Sequence, residues 1–148
     1  MYTANKIAEW FLAFNRMKMH DEDSDYISNL KLQKLVYYAQ GTYFAETGSR
    51  LFDDAILAWQ HGPVVESLYQ EYKHNGAQGI EFTKEFNFDD FDTETQTILE
   101  DVYNVFGKFS AWGLREMSHG ETPWQETKQG EEINVNSIRD YFKENYIV

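Results

Sequence analysis

Residues 29–41, NLKLQKLVYYAQG, constrain the fold more than any other part of the chain. Apolar residues recur there and just beyond at the three- and four-residue spacing of one helix face, at Leu32, Leu35, Val36, Ala39 and Tyr43. Tyr37, Tyr38 and Phe44 extend the apolar surface beyond that face. A helix that is apolar on most sides has to be enclosed by other elements, so we predict a buried central helix.

Two glutamines on this helix, Gln33 and Gln40, lie seven residues apart and so fall on the same side. A buried amide without hydrogen-bond partners costs about 1–3 kcal/mol, so we expect both glutamines to be bonded to neighbouring groups. Gly48 is placed to end the helix in a left-handed turn.

The segment that follows predicts a short strand, a turn and a second helix. Ala55–Trp59 is an apolar run without a charge, which is typical of a short strand. Pro63 comes after His61 and Gly62 and suits the first position of a helix, because it lacks an N–H and its φ is fixed. The inner face of that helix is expected to carry Val64, Val65, Leu68, Tyr69 and Tyr72, with Gly76 at its end.

The rest of the chain predicts further helices around this unit. An amphipathic helix is expected to start near Thr3, one near Thr93 with Thr93 and Gln96 as a capping box, one capped by Ser110, and a last one from about Ser137. Ile80–Phe86 alternates like a second short strand or an extended edge. We therefore predict a mainly α fold: residues 1–148 as a single compact helical domain of about six helices with a small two-stranded β element.

Composition excludes several classes of function. The formal net charge of −12 works against a nucleic acid as direct ligand and favours a basic protein as partner. The chain has no cysteine, so it has no disulfide, thiol nucleophile or cysteine-based zinc site. No stretch approaches the roughly 18 apolar residues of a membrane span, and we expect a cytoplasmic protein without a membrane partner.

Two acidic runs could suggest calcium sites. The run from His20 to Asp25 spaces carboxylates like the start of a calcium loop, but Tyr26 stands where such a loop needs glycine and Leu32 where it needs glutamate. A solvated acidic loop is the favoured interpretation of that run. The run from Asp89 to Glu94 is interpreted as a loop that places carboxylates at a helix N-terminus.

No catalytic signature organises the polar residues. The four histidines never occur at the i, i+4 spacing of a helical metal pair, and neither a nucleophile elbow nor a phosphate loop is present. A catalytic pair of His61 and His119 is an alternative that would require the fold to bring the two together. We predict a protein that is not an enzyme and has no catalytic residue, metal or cofactor.

Three blocks of sequence resemble the Panacea domain, the SocA-like antitoxin family. They are NLKLQKLVYYAQG from Asn29, ILAWQHGPVVESLY from Ile56 and FSAWGLREMSHGETPW from Phe109, in the family's order and with similar gaps. The resemblance implies a bacterial or phage antitoxin of a toxin–antitoxin system, active in stress response, that neutralises a co-encoded toxin by direct protein–protein contact. The alternative that it implies is a proteolytic adaptor, which delivers the toxin to a cytoplasmic protease.

The resemblance also indicates which residues define the domain or contact the partner. These candidates are Gln33, Lys34, Tyr37, Gln40, Trp59, His61, Gly62, Pro63, Val64 and Tyr69. Trp59 is either a core residue or, with the turn that follows it, part of a groove in which exposed aromatic side chains anchor a partner. Many relatives carry an additional DNA-binding segment, and we expect none here because the domain fills the chain.

Overall fold

A computed structural model describes residues 1–21 and 25–147. Its elements in chain order are α1 (Ala4–Asp21), α2 (Asn29–Thr47), β1 (Leu57–Trp59), β2 (Gly62–Val64), α3 (Glu66–Tyr72), α4 (Thr93–Phe106), α5 (Ala111–His119), α6 (Thr122–Gln125) and α7 (Val135–Asn145). Short 3-10 turns at Lys73–Asn75 and Phe88–Asp90 complete the described elements. The prediction of a mainly α fold with a small two-stranded sheet is confirmed, with seven α-helices in the described residues rather than about six.

Helix α2 is the centre of the fold, as its sequence predicts. It contacts α1, α3, α4, α5, α7 and β2. Its residues from Leu32 to Thr42 are all buried, since apolar side chains point from it in every direction. Ser28 caps its start by accepting a hydrogen bond from the Lys31 backbone N–H, and Gly48 ends it in a left-handed conformation with φ of 78°.

Both buried glutamines have the partners that the sequence requires. The Gln40 amide donates to the Phe52 carbonyl at 2.7 Å and accepts from the Leu51 N–H at 2.8 Å. The Gln33 amide donates to the Asn29 side chain at 3.0 Å and accepts from the Val65 N–H at 2.9 Å. These side chains therefore tie α2 to the backbone on either side of the hairpin.

The prediction that Pro63 begins a helix is wrong. Gly62–Val64 instead forms β2, which pairs antiparallel with β1, with Leu57 opposite Val64 and Trp59 opposite Gly62. The helix starts three residues later, at Glu66, because the Gln33 side chain holds the Val65 N–H just before it. A two-stranded ribbon tolerates proline because one edge of each strand is free of ladder hydrogen bonds.

Several other boundaries differ from the predictions. Ile80–Phe86 forms no strand, although the Ile80 N–H donates to the Ile27 carbonyl. The β1 strand is shorter than predicted, covering only Leu57–Trp59. In α3 the side chains of Leu68 and Tyr72 are buried as expected.

Helix caps explain the remaining shifts. Asp92, rather than Thr93, caps α4 by accepting from the Thr95 N–H, so the predicted capping box does not form. Asn134 caps α7, which therefore begins at Val135. Ser110 caps α5 as predicted. The acidic run from His20 to Asp25 falls largely outside the described residues, and the run from Asp89 to Glu94 leads into the N-terminus of α4 as predicted.

One core runs through the fold. It joins Trp10 and Phe11 of α1 and Leu35 of α2 to Leu99 of α4 and Phe142 of α7, all of which are almost fully buried. In the part of the chain that the structure describes, no helix combines the length and the apolar character needed to span a bilayer.

Candidate functional site

A groove lies between the start of α2 and the β1–β2 hairpin, and we call it the α2–hairpin groove. Its cavity volume is about 660 Å³, which is within the usual range for binding sites. It is lined by Asn29, Leu30, Gln33, Lys34, Trp59, Gln60, His61, Gly62, Val64, Tyr69, Lys73, Gly76, Gln129 and Gly130. The last two reach it because the chain near Gly130 bonds to β1, with the Gly130 N–H donating to the Ala58 carbonyl.

Lys34 is the most unusual residue of the groove, because its side chain is almost completely buried, with 1% of its surface exposed. Its ammonium donates one hydrogen bond, to the Pro63 carbonyl at 2.9 Å. Among the described residues, no carboxylate forms an ion pair with it. Burial, and secondarily the charge of Arg115, lower the pKa of Lys34 to about 7.

Gly62 makes room for this lysine. Its φ of 105° lies in the region that favours glycine. A Cβ atom added there would lie 2.6 Å from Cε of Lys34 and 2.7 Å from Oγ of Ser118. The turn can therefore close over the lysine only because residue 62 has no side chain.

Aromatic side chains form one wall of the groove and the surface beside it. Trp59 is half-buried and meets Tyr69 edge-on, with ring centroids 5.1 Å apart, while Tyr69 is 37% exposed. Trp112 on α5 is 57% exposed, and the Arg115 guanidinium lies over its ring at 4.2 Å. Nε of Arg115 donates to Nδ1 of His61 at 3.0 Å, which connects this surface to the groove.

Comparisons with known proteins give the family of the chain. The model of the family "Antitoxin SocA-like, Panacea domain" matches residues 32–125, which is more than half of the chain. This chain belongs to the SocA-like Panacea family. Antitoxin SocA of Caulobacter vibrioides is 30% identical over 121 residues, covering 74% of this chain and 64% of that protein, so the chain spans less than two thirds of this relative. No solved structure matches the chain significantly.

The groove gathers most of the residues that the Panacea resemblance singles out. Those that line it are Gln33, Lys34, Trp59, His61, Gly62, Val64 and Tyr69. Pro63 is buried behind them and contributes its carbonyl to Lys34. Tyr69, which we expected on the inner face of α3, is instead exposed in the groove because Leu68 and Tyr72 take the buried positions of this short helix.

Two of the candidates lie elsewhere and hold the Panacea fold together. Gln40 bonds to the backbone at Leu51 and Phe52. The Tyr37 hydroxyl donates to the buried Glu121 carboxylate at 2.8 Å. Neither residue lines the groove, so a family-defining position is not always a groove position.

Glu121 is a buried acid that the sequence analysis missed. Its carboxylate accepts hydrogen bonds from the hydroxyls of Tyr37, Tyr38 and Tyr146. Burial raises the pKa of the Glu121 carboxyl, and the three hydroxyls partly oppose that effect. With every bond directed into the core, this cluster joins α2, α6 and α7 and has a structural role.

His61 and His119 have separate partners in the described residues. Among the described residues, neither is hydrogen-bonded to the other; His61 bonds to Arg115, and the His119 ring stacks on Trp124 with centroids 4.1 Å apart. Burial and the Arg115 charge lower the pKa of His119. In the same residues no group of three or more potential ligands is arranged to hold a metal.

Sequence reasoning missed Arg115, Lys73 and the Gln129–Gly130 segment as parts of this site. Each comes from a different element, and only the tertiary fold places them beside α2. The burial of Lys34 was also missed, because a lysine among apolar residues is ordinarily solvent-facing. Lys34 lies one residue before Leu35 and three residues before Tyr37, both of which are fully buried. This spacing was the sequence signal from which the burial of Lys34 could have been predicted.

Proposed function

We propose that this chain is an antitoxin that neutralises a co-encoded toxin by direct protein–protein binding, and that the α2–hairpin groove is part of the contact surface. Membership of the Panacea family and the similarity to Antitoxin SocA of Caulobacter vibrioides support the antitoxin role. The observation that carries the choice of surface is that the groove, although built from the family's most characteristic runs, is left open to solvent.

The chemistry of the groove suits a protein partner. Binding hot spots are enriched in tryptophan, tyrosine and arginine that lie in or beside pockets. Here Trp59, Tyr69 and Trp112 offer aromatic surface, and Arg115 and His61 link the two parts. A small-molecule site would ordinarily enclose most of its ligand, whereas this surface continues outward onto α5.

The expected size of the contact supports an interface that extends beyond the groove. A stable complex buries about 800 Å² on each partner. Phe109, two residues before α5, is 37% exposed and lies three residues before Trp112. An interface that runs from the groove across His61 to Trp112 and Phe109 would include all of these exposed aromatic residues.

Binding without catalysis is part of this proposal. The two histidines that could have served a hydrolase are engaged separately with Arg115 and Trp124. We therefore expect the wild type to have no hydrolytic activity. The double variant His61→Ala, His119→Ala, if it folds, should be equally inactive as a hydrolase. We propose no cofactor and no direct nucleic-acid ligand, the latter because the net charge is −12.

To test the proposal, the neighbouring open reading frame is induced and growth is measured with and without this protein co-expressed. Rescue of growth together with co-purification of the pair is the expected result. Tyr69→Ala and Trp112→Ala should weaken the complex, while Tyr26→Ala, which removes an aromatic residue that is 47% exposed outside the groove, serves as the matched control. A harmless neighbour, or no rescue, would contradict the antitoxin role for that pair.

The proteolytic adaptor is distinguished by the fate of the toxin. A masking antitoxin leaves the half-life of the toxin unchanged or longer, because the bound toxin is folded and covered. An adaptor that recruits a cytoplasmic protease shortens it. Pulse-chase measurement of the toxin in the rescued strain therefore decides between the two mechanisms, and a shortened half-life would overturn masking.

A further inference from the structure

On the basis of the proposed function, we propose that the α2–hairpin groove binds one acidic side chain of the toxin. This side chain is an aspartate or glutamate whose carboxylate bonds to the Lys34 ammonium. Within the described residues, the Lys34 ammonium has hydrogen-bonding capacity that the protein leaves unfilled.

An ammonium group has three donors, and Lys34 uses one of them within the described residues, to the Pro63 carbonyl. Burying a charged group is costly unless it is paired and fully hydrogen-bonded. The fold nevertheless keeps this lysine buried, and Gly62, which has no side chain, lies directly against it. A ligand that supplies acceptor oxygens would complete its bonding.

The charges around the groove favour an anion. The chain has 25 acidic residues, yet among the described residues that line the groove none is acidic. Lys34 and Lys73 line it instead, and Arg115 lies behind His61 at its edge. The protein has a net charge of −12, but the charged side chains at the groove are positive. A negatively charged partner group entering the groove would therefore be attracted.

A carboxylate on a short apolar stem fits better than a phosphate. Lys34 is the one buried cation among the described lining residues, whereas a phosphate needs several donors for its larger charge. The nearby amides of Gln33 and Asn29 are already used within the protein. Leu30, Val64 and Trp59 supply apolar walls for the methylene groups of an acidic side chain.

Protonation of Lys34 should couple to binding, because the free lysine has a pKa of about 7 and only the charged form attracts a carboxylate. The charged or titratable groups near it in the described residues are Arg115 and His119 on α5, His61 on the hairpin turn and Lys73 in the 3-10 turn after α3, with Glu116 paired to Arg115 at 2.7 Å. The carboxylate of the toxin would be the missing counter-charge in this set. Toxin affinity should then fall about tenfold between pH 6 and pH 8, as the protonated fraction falls.

The first experiment measures the affinity of the toxin for the wild type and for Lys34→Met, a neutral side chain of similar length. We expect Lys34→Met to weaken binding about 10- to 100-fold and to flatten the pH profile relative to wild type. Lys143→Met, at an exposed lysine on α7, is the matched control and should do neither. Circular dichroism and thermal unfolding verify that both variants fold.

Substitutions in the toxin identify the source of the carboxylate. Each aspartate or glutamate is changed to its amide, and one such change should reproduce the loss of Lys34→Met and add nothing when the two are combined. If only extension of the toxin's C-terminus by a glycine has that effect, the chain-terminal carboxylate is the ligand and a side chain is not. If Lys34→Met binds with wild-type affinity and pH dependence, the inference is wrong while the antitoxin role stands.

A probe that needs no toxin keeps the inference testable if the antitoxin role fails. N-acetylglutamate is titrated into the wild-type protein at pH 6, with N-acetylglutamine as the neutral control, and the lysine side chains are followed by NMR. The Lys34 signal, assigned by its absence in Lys34→Met, should shift with the carboxylate only. An unchanged Lys34 signal would refute the carboxylate site independently of any toxin.

Discussion

The buried Lys34 ammonium predicts a specific dependence of stability on pH, which needs no partner to measure. Its pKa falls from an ordinary 10.5 to about 7 in the folded protein. Between these values the unfolded lysine keeps its proton and the folded lysine loses it, so the free energy of unfolding rises with pH. The contribution of this lysine to stability is therefore greatest above pH 10.5 and is lost as pH falls through about 7.

The size of the effect follows from the two pKa values. Integrating the difference in bound protons gives a gain of about 2 kcal/mol between pH 7 and pH 9. Lys34→Met removes the titrating group, and therefore the free energy of unfolding of the wild type should rise by that amount relative to the variant. Urea denaturation of both proteins at pH 7, 8 and 9 measures it, and other titrating groups cancel in the difference.

Lys143→Met is the control for this measurement, because that lysine is exposed on α7. Its difference from the wild type should not change with pH. Lys34→Gln provides a second neutral side chain, which keeps an amide N–H donor but is one atom shorter than lysine. A wild-type minus Lys34→Met difference that varies by less than about 0.5 kcal/mol from pH 7 to pH 9 would refute a charge buried without a counter-ion.

Three further predictions concern the hairpin, the glutamines and the exposed surface. Gly62→Ala should lower the free energy of unfolding by about 3 kcal/mol or more, and Gly48→Ala by about 1 kcal/mol. Both glycines have positive φ, but of the two only Gly62 lacks space for a Cβ atom. Equal losses of stability in thermal unfolding would contradict this steric argument. Gln40→Leu should cost about 3 kcal/mol in urea denaturation, since two buried backbone groups lose their partner, and the exposed Gln70→Leu should cost almost nothing. Trp112→Ala should change stability by less than about 0.5 kcal/mol yet weaken toxin binding at least about tenfold; calorimetry that finds unchanged affinity would remove α5 from the proposed interface.

The helical part of the fold could be predicted because its signals are local. A helix that is apolar on most sides must be central, and α2 is. The buried amides of Gln33 and Gln40 had to find partners, and they did. Glycine at position 48 and serine at position 110 act on their own neighbouring backbone, so short-range chemistry was sufficient to place them.

The hairpin was predicted wrongly because a long-range contact decides its structure. His61, Gly62 and Pro63 are compatible with a helix start by local rules. The Gln33 side chain bonds to the Val65 N–H and the Lys34 ammonium to the Pro63 carbonyl, both across about 30 residues of chain. A sequence pattern indicates which groups need partners, but not which distant groups supply them.

The candidate site was predictable in part for the same reason. The residues of the family runs mark α2 and the hairpin, and the structure brings these two together into a groove. Arg115 lies on α5 in the third family run and Lys73 follows α3, and neither position indicates from sequence that it lies near α2. That none of the described residues lining the groove is acidic is visible only once the chain is folded.

The contacts around the hairpin separate the scaffold of the Panacea domain from the surface that we propose for recognition. The Gln33 side chain bonds to the Val65 N–H, Gly62 leaves space for the Lys34 side chain, and the Pro63 carbonyl accepts a hydrogen bond from Lys34. These contacts are all made within the protein and hold the hairpin against α2. Within the described residues, the Lys34 ammonium uses one of its three donors. In the same part of the chain, the side chains of the exposed Tyr69 and Trp112 form no hydrogen bonds to the protein. A change in toxin specificity should therefore be reached by substitution at these two positions, while substitution of Gly62 or Gln33 should first affect folding.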